Sequence, residues 1–163
     1  MDELDDRGQL VARGALRAQR VGGEQQQGRP QALQTEVFAY GRMPLAFSAR
    51  CFTARQRNLP KDDCQFSCLD HPDGLMLKTR ESEEFLVLNG IQTQSARVHN
   101  LIDELPRMQR MGVAVARISP QAQHTGEIVA LFDAVRQGRL APRDARTQLQ
   151  PLMPEQSCNG YWH

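Results

Sequence analysis

Three of the four cysteines in the chain lie between positions 51 and 68, and their thiols are the side chains best suited to carry chemistry. Cys51, Cys64 and Cys68 are separated by twelve and then three residues, in a polar segment that also carries aspartate and lysine. Several thiolates brought to one point ligate zinc or an iron–sulfur cluster. We therefore predict a metal site at these three cysteines. On spacing alone, zinc and iron are close to equally favoured, and inert or redox-active thiols are the third interpretation.

Other potential ligands are scattered along the chain. Cys158 stands alone near the C-terminus, and we interpret it as a packed small side chain in preference to a fourth ligand. His71, His99 and His124 have no spacing that would pair them on a helix, so we expect surface or hydrogen-bonded histidines. A nucleophilic pair such as Cys51 with His99 stays open, because such partners meet only in the fold.

Composition narrows the class of protein. The chain has 163 residues and a net charge of +1, with basic residues spread along its length, so a nucleic-acid-binding face is not expected. No apolar run approaches the roughly 20 residues that span a bilayer, and the N-terminus lacks the features of a signal peptide. We expect a cytoplasmic protein without a membrane span, whose thiols stay reduced and available as ligands.

The elements that must position the cysteines begin after a leader. Residues 1–33 are rich in Gln, Gly and Arg, and we predict a disordered segment there, with at most a short helix over 9–19. The folded domain is predicted over 34–163. A strand ending at Gly41 is expected to lead into a helix opened by Pro44 that carries Cys51.

The cysteines at 64 and 68 are predicted to follow that helix, after it stops before Pro60. In a loop or single helical turn, their i,i+4 spacing would put Cys64 and Cys68 on one side. The remaining elements predicted from periodicity and turn residues are strands at 75–79 and 84–90, a helix at 98–111, a strand at 113–119, a helix at 126–137 capped by Thr125, and a helix at 142–149. Alternating strands and helices favour an α/β fold with parallel strands and crossover helices, about half of a closed eight-unit barrel.

Longer motifs in the same region resemble a known family. They are EVFAYGRMPLAFSARC at 36–51, SARCFTAR at 48–55, LPKDDC at 59–64, LNGIQT at 88–93 and CNGYW at 158–162. Together they resemble the collagenase-like peptidase family U-thirty-two over residues 34–163, and in particular its branch in anaerobic ubiquinone biosynthesis.

The resemblance implies a TIM-barrel-like fold, of which this chain would be the C-terminal part. It also implies a [4Fe–4S] cluster, with Cys51, Cys64 and Cys68 matching three of the family's four cluster cysteines. The fourth ligand is not in the family-matching part, and residues 1–33 contain no cysteine. The implied role is oxygen-independent hydroxylation of a ubiquinone precursor, as a heterodimer with a paralogous partner.

Two other functions stay open. One is an inactive or partner-dependent fragment that carries no cluster. The other is a peptidase, as the family label suggests, although the chain has neither a His-Glu-x-x-His nor a Gly-x-Ser-x-Gly motif. No catalytic residue can be assigned from the sequence. Glu36, Tyr40 and Arg42 are candidate pocket residues, because barrel folds place their chemistry at strand ends.

Overall fold

The structure is a computed structural model that describes residues 34–60, 62–160 and 162. The predictions for residues 1–33, including the helix over 9–19, lie outside the described residues. The helices and strands, in chain order, are β1 (Glu36–Phe47), α1 (Phe52–Gln56), β2 (Leu75–Lys78), β3 (Glu84–Asn89), β4 (Gln92–Asn100), α2 (Leu105–Arg110), β5 (Val115–Ile118), α3 (Thr125–Arg136), α4 (Pro142–Leu149) and β6 (Ser157–Cys158). Short 3₁₀ helices span Ser67–Asp70, Ile102–Glu104 and Gln150–Leu152.

The strands form one mixed sheet, which confirms the α/β class. Hydrogen bonding connects them in the order β2-β3-β4-β1-β5, with β6 beside β4. The pairs β1–β5 and β4–β6 are parallel, whereas β2–β3 and β3–β4 are antiparallel. The expectation of parallel strands throughout is therefore wrong for β2 to β4. Short connections between these strands allow hairpins, and only longer crossovers allow parallel pairing.

The described chain divides into two compact units, and β1 contributes to both. The first unit contains β1 up to Tyr40 together with residues 100–120 and 124–152. Here β1 pairs with β5 from Glu36 opposite Val115 to Tyr40 opposite Ile118. Apolar side chains from strands and helices are fully buried in this unit: Leu101, Ile102, Met108, Ile118, Ile128 and Leu149. Burial of this apolar surface is the main force holding the unit together.

Of the described residues, the second unit contains 41–60, 62–99, 121–123, 153–160 and 162, and it carries all four cysteines. Most of its buried residues lie on β3, β4 and α1, and Ser67 of the 3₁₀ helix Ser67–Asp70 is also buried. Those on the three elements are Val87, Ala96, Val98, His99, Thr53 and Ala54. A close backbone approach explains Gly74, which has φ +83 and where an added Cβ would lie 2.5 Å from Val87 Cγ1. A larger residue at Gly74 would push the end of β3 away.

The predicted helix from Pro44 to Cys51 is wrong, because β1 continues as a strand to Phe47. Gly41 has φ +117 and does not end the strand. Arg42 Nη1 donates to the carbonyls of Ser95 and Ala96 on β4, and the Met43 amide donates to Ser95 Oγ at 2.9 Å. Pairing with β4 therefore overrides the local signal of Pro44.

The predicted helix over 98–111 begins too early. Val98 and His99 belong to β4, and helical structure starts at Ile102 and becomes α2 at Leu105. Strand β4 itself was not predicted, since its sequence QTQSARVHN is mostly polar. Pro106 is accommodated in the first turn of α2, where its missing N–H is not required.

The later elements agree with the sequence. Strands β2, β3 and β5 lie within the ranges predicted for them, and helix α4 has its predicted bounds. Helix α3 begins one residue earlier than expected, so Thr125 is its first residue, and the capping position belongs to His124 in a left-handed conformation. Across residues 34–60 and 62–160, none of the helices has the length and apolar character required to cross a bilayer.

Candidate metal centre

Cys51 stands immediately before α1 and is half-buried. The amide of Phe52 donates to the Gly90 carbonyl at 2.8 Å, which fixes the start of the helix against the β3–β4 turn. Thr53 and Ala54 are 1% and 2% exposed and hold the other side of α1 against β3. Cys51 is thus on a short helix whose position is set by the sheet.

Cys64 and Cys68 lie in the segment that follows, and both are half-buried. Of the two predicted alternatives, a loop or a single helical turn, the loop is observed between them. Cys68 is in the 3₁₀ helix Ser67–Asp70, and Gln65 and Phe66 before it have φ +52 and +48. Left-handed residues between the two cysteines break the i,i+4 relationship, so the spacing alone does not align their side chains.

The two cysteine-bearing segments contact each other, since α1 packs against the 3₁₀ helix Ser67–Asp70. Arg57 Nη2 lies 2.7 Å from Asp70 Oδ2 and ties the end of α1 to the end of the 3₁₀ helix. Arg50 Nη2 donates to the Leu59 carbonyl at 3.3 Å and holds the connecting loop from the other side. Through these contacts, Arg50 and Arg57 hold the loop between α1 and the 3₁₀ helix Ser67–Asp70 in place.

The cysteine side chains are of the type that binds a metal centre through thiolate sulfur. All four cysteines are free thiols, so none of the predicted ligands is consumed by a disulfide. As the side chains lie, however, no three His, Cys, Asp or Glu side chains within the described part of the chain form a group that could hold a metal ion. The metal site at Cys51, Cys64 and Cys68 therefore stays a prediction. It is supported by the free thiols of the three residues and by the contact between α1 and the 3₁₀ helix Ser67–Asp70.

Cys158 lies away from the other three cysteines along the chain, on β6. It faces His99 of β4 in the parallel register. After β6, hydrogen bonds between Asn159 and Trp162, including Trp162 N to Asn159 O at 3.1 Å, close a local turn.

The predicted histidines have separate surroundings. His71 follows the 3₁₀ helix and its amide donates to the Cys68 carbonyl at 3.0 Å, whereas His99 is 6% exposed on β4. His124 belongs to the other unit, where its Nδ1 lies 2.7 Å from Glu127 Oε1. A metal site built from these histidines is not expected.

Glu36, Tyr40 and Arg42, the candidate pocket residues, make contacts that stabilise the fold. Glu36 forms an ion pair with Arg117, across the β1–β5 pair. Tyr40 is 1% exposed and packs edge-on against Phe132, with ring centroids 5.8 Å apart. Arg42 is bonded to β4 carbonyls, as described above. Tyr40 is therefore a core residue, and a pocket lined by these three side chains is not supported.

One residue near the cysteines was missed by the sequence reasoning. Ser67, directly before Cys68, is 5% exposed, and its Oγ has no hydrogen-bond partner among the residues that the structure describes. Serine is usually exposed, and a buried polar atom is normally paired. Its position beside Cys68 was the only available signal.

The carboxyl group of Glu155, which lies in the same unit away from the cysteines in sequence, has a shifted pKa. Burial of Glu155, followed by the nearby charge of Glu84, raises the pKa of the Glu155 carboxyl. Arg42 and Lys78 act in the opposite direction and only partly offset this. The stability of this unit should therefore depend on the protonation of Glu155.

Comparison with known proteins identifies the family. The model of peptidase family U32 matches residues 25–155, which is most of the chain. The chain therefore belongs to peptidase family U32. No solved structure gives a significant match to the chain.

Proposed function

We propose that the chain is a UbiV-like iron–sulfur protein of the cytoplasm. In this proposal, Cys51, Cys64 and Cys68 hold a [4Fe–4S] cluster in a TIM-barrel-like domain. The protein acts as a heterodimer with a UbiU-like paralogue in the oxygen-independent hydroxylation of a ubiquinone precursor, during anaerobic ubiquinone biosynthesis. Family membership and the quoted motifs around the cysteines support this particular branch.

The single observation that carries the proposal is the packing of α1 against the 3₁₀ helix Ser67–Asp70. It places the segment that starts with Cys51 next to the segment that contains Cys68, although sixteen residues separate the two cysteines. The Arg57–Asp70 ion pair at 2.7 Å holds that contact. The contact between these segments supports the proposal that their thiols bind one centre.

In this proposal, a change in the conformation of the loop between α1 and the 3₁₀ helix brings the sulfur atoms of Cys51, Cys64 and Cys68 together. Thiolates repel one another and converge when a metal offsets their charge, so ligand binding and local folding are coupled. Residues 57–66 connect the two segments, and Gln65 and Phe66 within them adopt the less populated left-handed conformation. The loop is therefore the part of the site expected to rearrange, while α1 stays fixed on β3.

Positive charge near the cysteines would offset the net negative charge of a cluster held by thiolates. Arg50 before α1, Arg55 within it and Arg57 directly after it are the basic residues of this segment. The fourth ligand is proposed to come from outside these three cysteines, from a partner chain or a small molecule. The cluster, when bound, would supply electron transfer, and the residues above would hold it and set its charge environment.

Anaerobic reconstitution with iron and sulfide tests the proposal. We expect the purified protein to bind both in near-equal amounts and to show broad visible absorption. Tightly bound zinc without that absorption would replace the cluster by a zinc site. Binding of neither would favour the alternative of a partner-dependent fragment without a cluster.

That alternative has its own supporting observation, because the described side chains do not form a ready group of three ligands. Co-expression with a UbiU-like paralogue distinguishes a cluster-binding protein from a partner-dependent fragment without a cluster. If iron binds only in the complex, the partner completes the site, and if the pair forms without iron, the fragment function is favoured. We do not propose a peptidase, since no described feature supports one.

A further inference from the structure

The 3₁₀ helix Ser67–Asp70 and the residue before it display large apolar side chains at the surface. Phe66 is 71% exposed and Leu69 is 74% exposed, while Ser67 between them is 5% exposed. Gln65 and Phe66 have φ +52 and +48, a left-handed conformation that is uncommon for residues other than glycine. A loop shaped only by its own hydrophobic burial would cover the phenyl ring and expose the hydroxyl. The backbone therefore holds the phenyl ring outside.

Phe66 and Leu69 form one apolar projection, called here the Phe66–Leu69 projection. The Leu69 amide donates to the Phe66 carbonyl at 2.9 Å. In a turn closed by such a bond, the Cα atoms of the two residues lie within about 7 Å of each other, so the two exposed side chains belong to one surface. Asp62 and Asp63, shortly before them in the chain, are also exposed. The projection thus combines apolar side chains with neighbouring negative charge.

A second apolar surface, the β1-end surface, lies in the same unit, where β1 ends beside the β3–β4 turn. Leu45, Phe47 and Ile91 there are at least half exposed. The Ser48 amide donates to the Ile91 carbonyl at 2.8 Å, which brings the end of β1 next to the turn. Arg50 is exposed and its amide donates to Ser48 Oγ at 3.3 Å, so positive charge borders this surface.

The two surfaces are alike in apolar character and complementary in charge. Five of the eight large apolar side chains that are exposed in the described part of the chain belong to them. Exposed apolar side chains that lie together mark sites of protein association, and opposite charges at their borders select the partner and its orientation. A unit that carries both halves of a contact can pair with its own copy across a two-fold axis, and each contact then occurs twice.

We propose that this unit binds a second copy of the chain, with the Phe66–Leu69 projection of each copy packed against the β1-end surface of the other. Asp62 and Asp63 of one copy then lie near Arg50 of the other copy. The proposal requires no bound metal, so it is independent of the cluster in the proposed function. It explains why the loop keeps a phenyl ring exposed, because the second copy supplies the apolar surroundings that the ring lacks within its own chain.

Sedimentation of the full-length chain over a range of concentrations tests the proposal. We expect a monomer–dimer equilibrium, in which Phe66→Ser and Phe47→Ser each weaken self-association by at least about tenfold. Phe85→Ser is the matched control, because Phe85 is also exposed on β3 of the same unit but belongs to neither surface, and its Kd should not change. Equal weakening in all three variants would contradict the proposal. A monomer at every concentration would overturn it, including the case in which a paralogue covers these surfaces instead.

Charge reversal distinguishes the proposed contact from unspecific association of exposed apolar side chains. Asp63→Arg and Arg50→Glu should each weaken self-association, because each variant brings like charges together, and the double variant should restore it. A double variant that associates no better than the single ones would overturn the proposed arrangement. The substituted side chains are exposed, so melting temperatures should stay close to that of the unmodified chain. If Phe66→Ser fails to fold, Leu69→Ser removes the other half of the projection and should weaken self-association in the same way. Iron content does not enter the measurement, so failure of the proposed function leaves this test unchanged.

Discussion

Arg57 and Asp70 form an ion pair, with Arg57 Nη2 2.7 Å from Asp70 Oδ2, that joins the end of α1 to the end of the 3₁₀ helix Ser67–Asp70. Both side chains are largely exposed, at 41% and 62%. An exposed pair contributes only about 1 kcal/mol or less to folding. Its importance is therefore positional, because it keeps the segments of Cys51 and Cys68 together.

Arg57→Ala is accordingly expected to weaken iron retention by about tenfold or less, with little change in melting temperature. Iron release to a chelator and thermal unfolding measure the two effects. Asp70→Ala should behave alike, and the double variant should add nothing further, because both changes remove one interaction. Arg55→Ala, which changes the same charge on α1, is the control. Equal loss of iron in Arg55→Ala would show that overall charge matters more than the pair.

Replacing the cysteines one at a time tests the ligand set. Cys51→Ser, Cys64→Ser and Cys68→Ser should each lose most of the bound iron, because a hydroxyl is a poor ligand for a soft metal centre. Iron and sulfide content after reconstitution is the measurement. Cys158→Ser is the matched control, since Cys158 lies on β6 opposite His99, and its iron content should not change. Loss of iron in Cys158→Ser would instead make it the missing fourth ligand.

Gly160 fixes the C-terminal segment against His99. An added Cβ at Gly160 would lie 2.6 Å from His99 Nδ1, and its φ is +59. Gly160→Ala should therefore lower the melting temperature. Gly90→Ala is the control in the same unit, because Gly90 also has φ +59 but has open space around it. The left-handed backbone alone costs about 1 kcal/mol. Equal losses in both variants would mean that the contact with His99 does not matter.

Asp133 should make the first unit sensitive to acid. A hydrogen bond from Arg136 holds the pKa of the Asp133 carboxyl below its usual range, and Gln137 and Arg139 contribute in the same direction. A group with a lowered pKa in the folded state stabilises the fold above its unfolded pKa, and that contribution is lost as the pH falls through the folded value. Asp133→Asn should therefore destabilise the protein near pH 7 by about 1 kcal/mol or less, and the difference should vanish in strong acid. Thermal unfolding between pH 2 and about 7 tests this. A difference that does not depend on pH would contradict it.

Glu155 should show the opposite pH dependence. Burial and then the charge of Glu84 raise the pKa of the Glu155 carboxyl, so the folded state favours its protonated form. That stabilising contribution is complete below the unfolded pKa and is lost as the pH rises through the folded value. Glu155→Gln, which imitates the protonated form, should therefore raise the melting temperature near neutral pH and have little effect in acid. Glu83→Gln removes the same charge from an exposed loop and should not reproduce this pattern.

Local sequence was sufficient to predict the helices and strands that are determined by neighbouring residues. Helix α4 begins at Pro142 and ends at Leu149 as predicted, because proline favours a helix start and Ala145 and Leu149 form its buried face. Strands β2 and β3 were also predicted, since their apolar runs flank a charged loop, although their antiparallel pairing was not. The same reasoning failed after Pro44, where a partner strand far along the chain determines the conformation.

The sequence by itself determined the chemical character of the candidate site. The thiols of Cys51, Cys64 and Cys68, and the arginines among them, follow from residue identity and spacing. The family follows from its motifs. Only the tertiary structure decided that α1 contacts the 3₁₀ helix, that Arg57 meets Asp70, and that the Ser67 hydroxyl is buried. The physical reason is that these contacts depend on strand pairing and packing between distant residues, which no local pattern encodes.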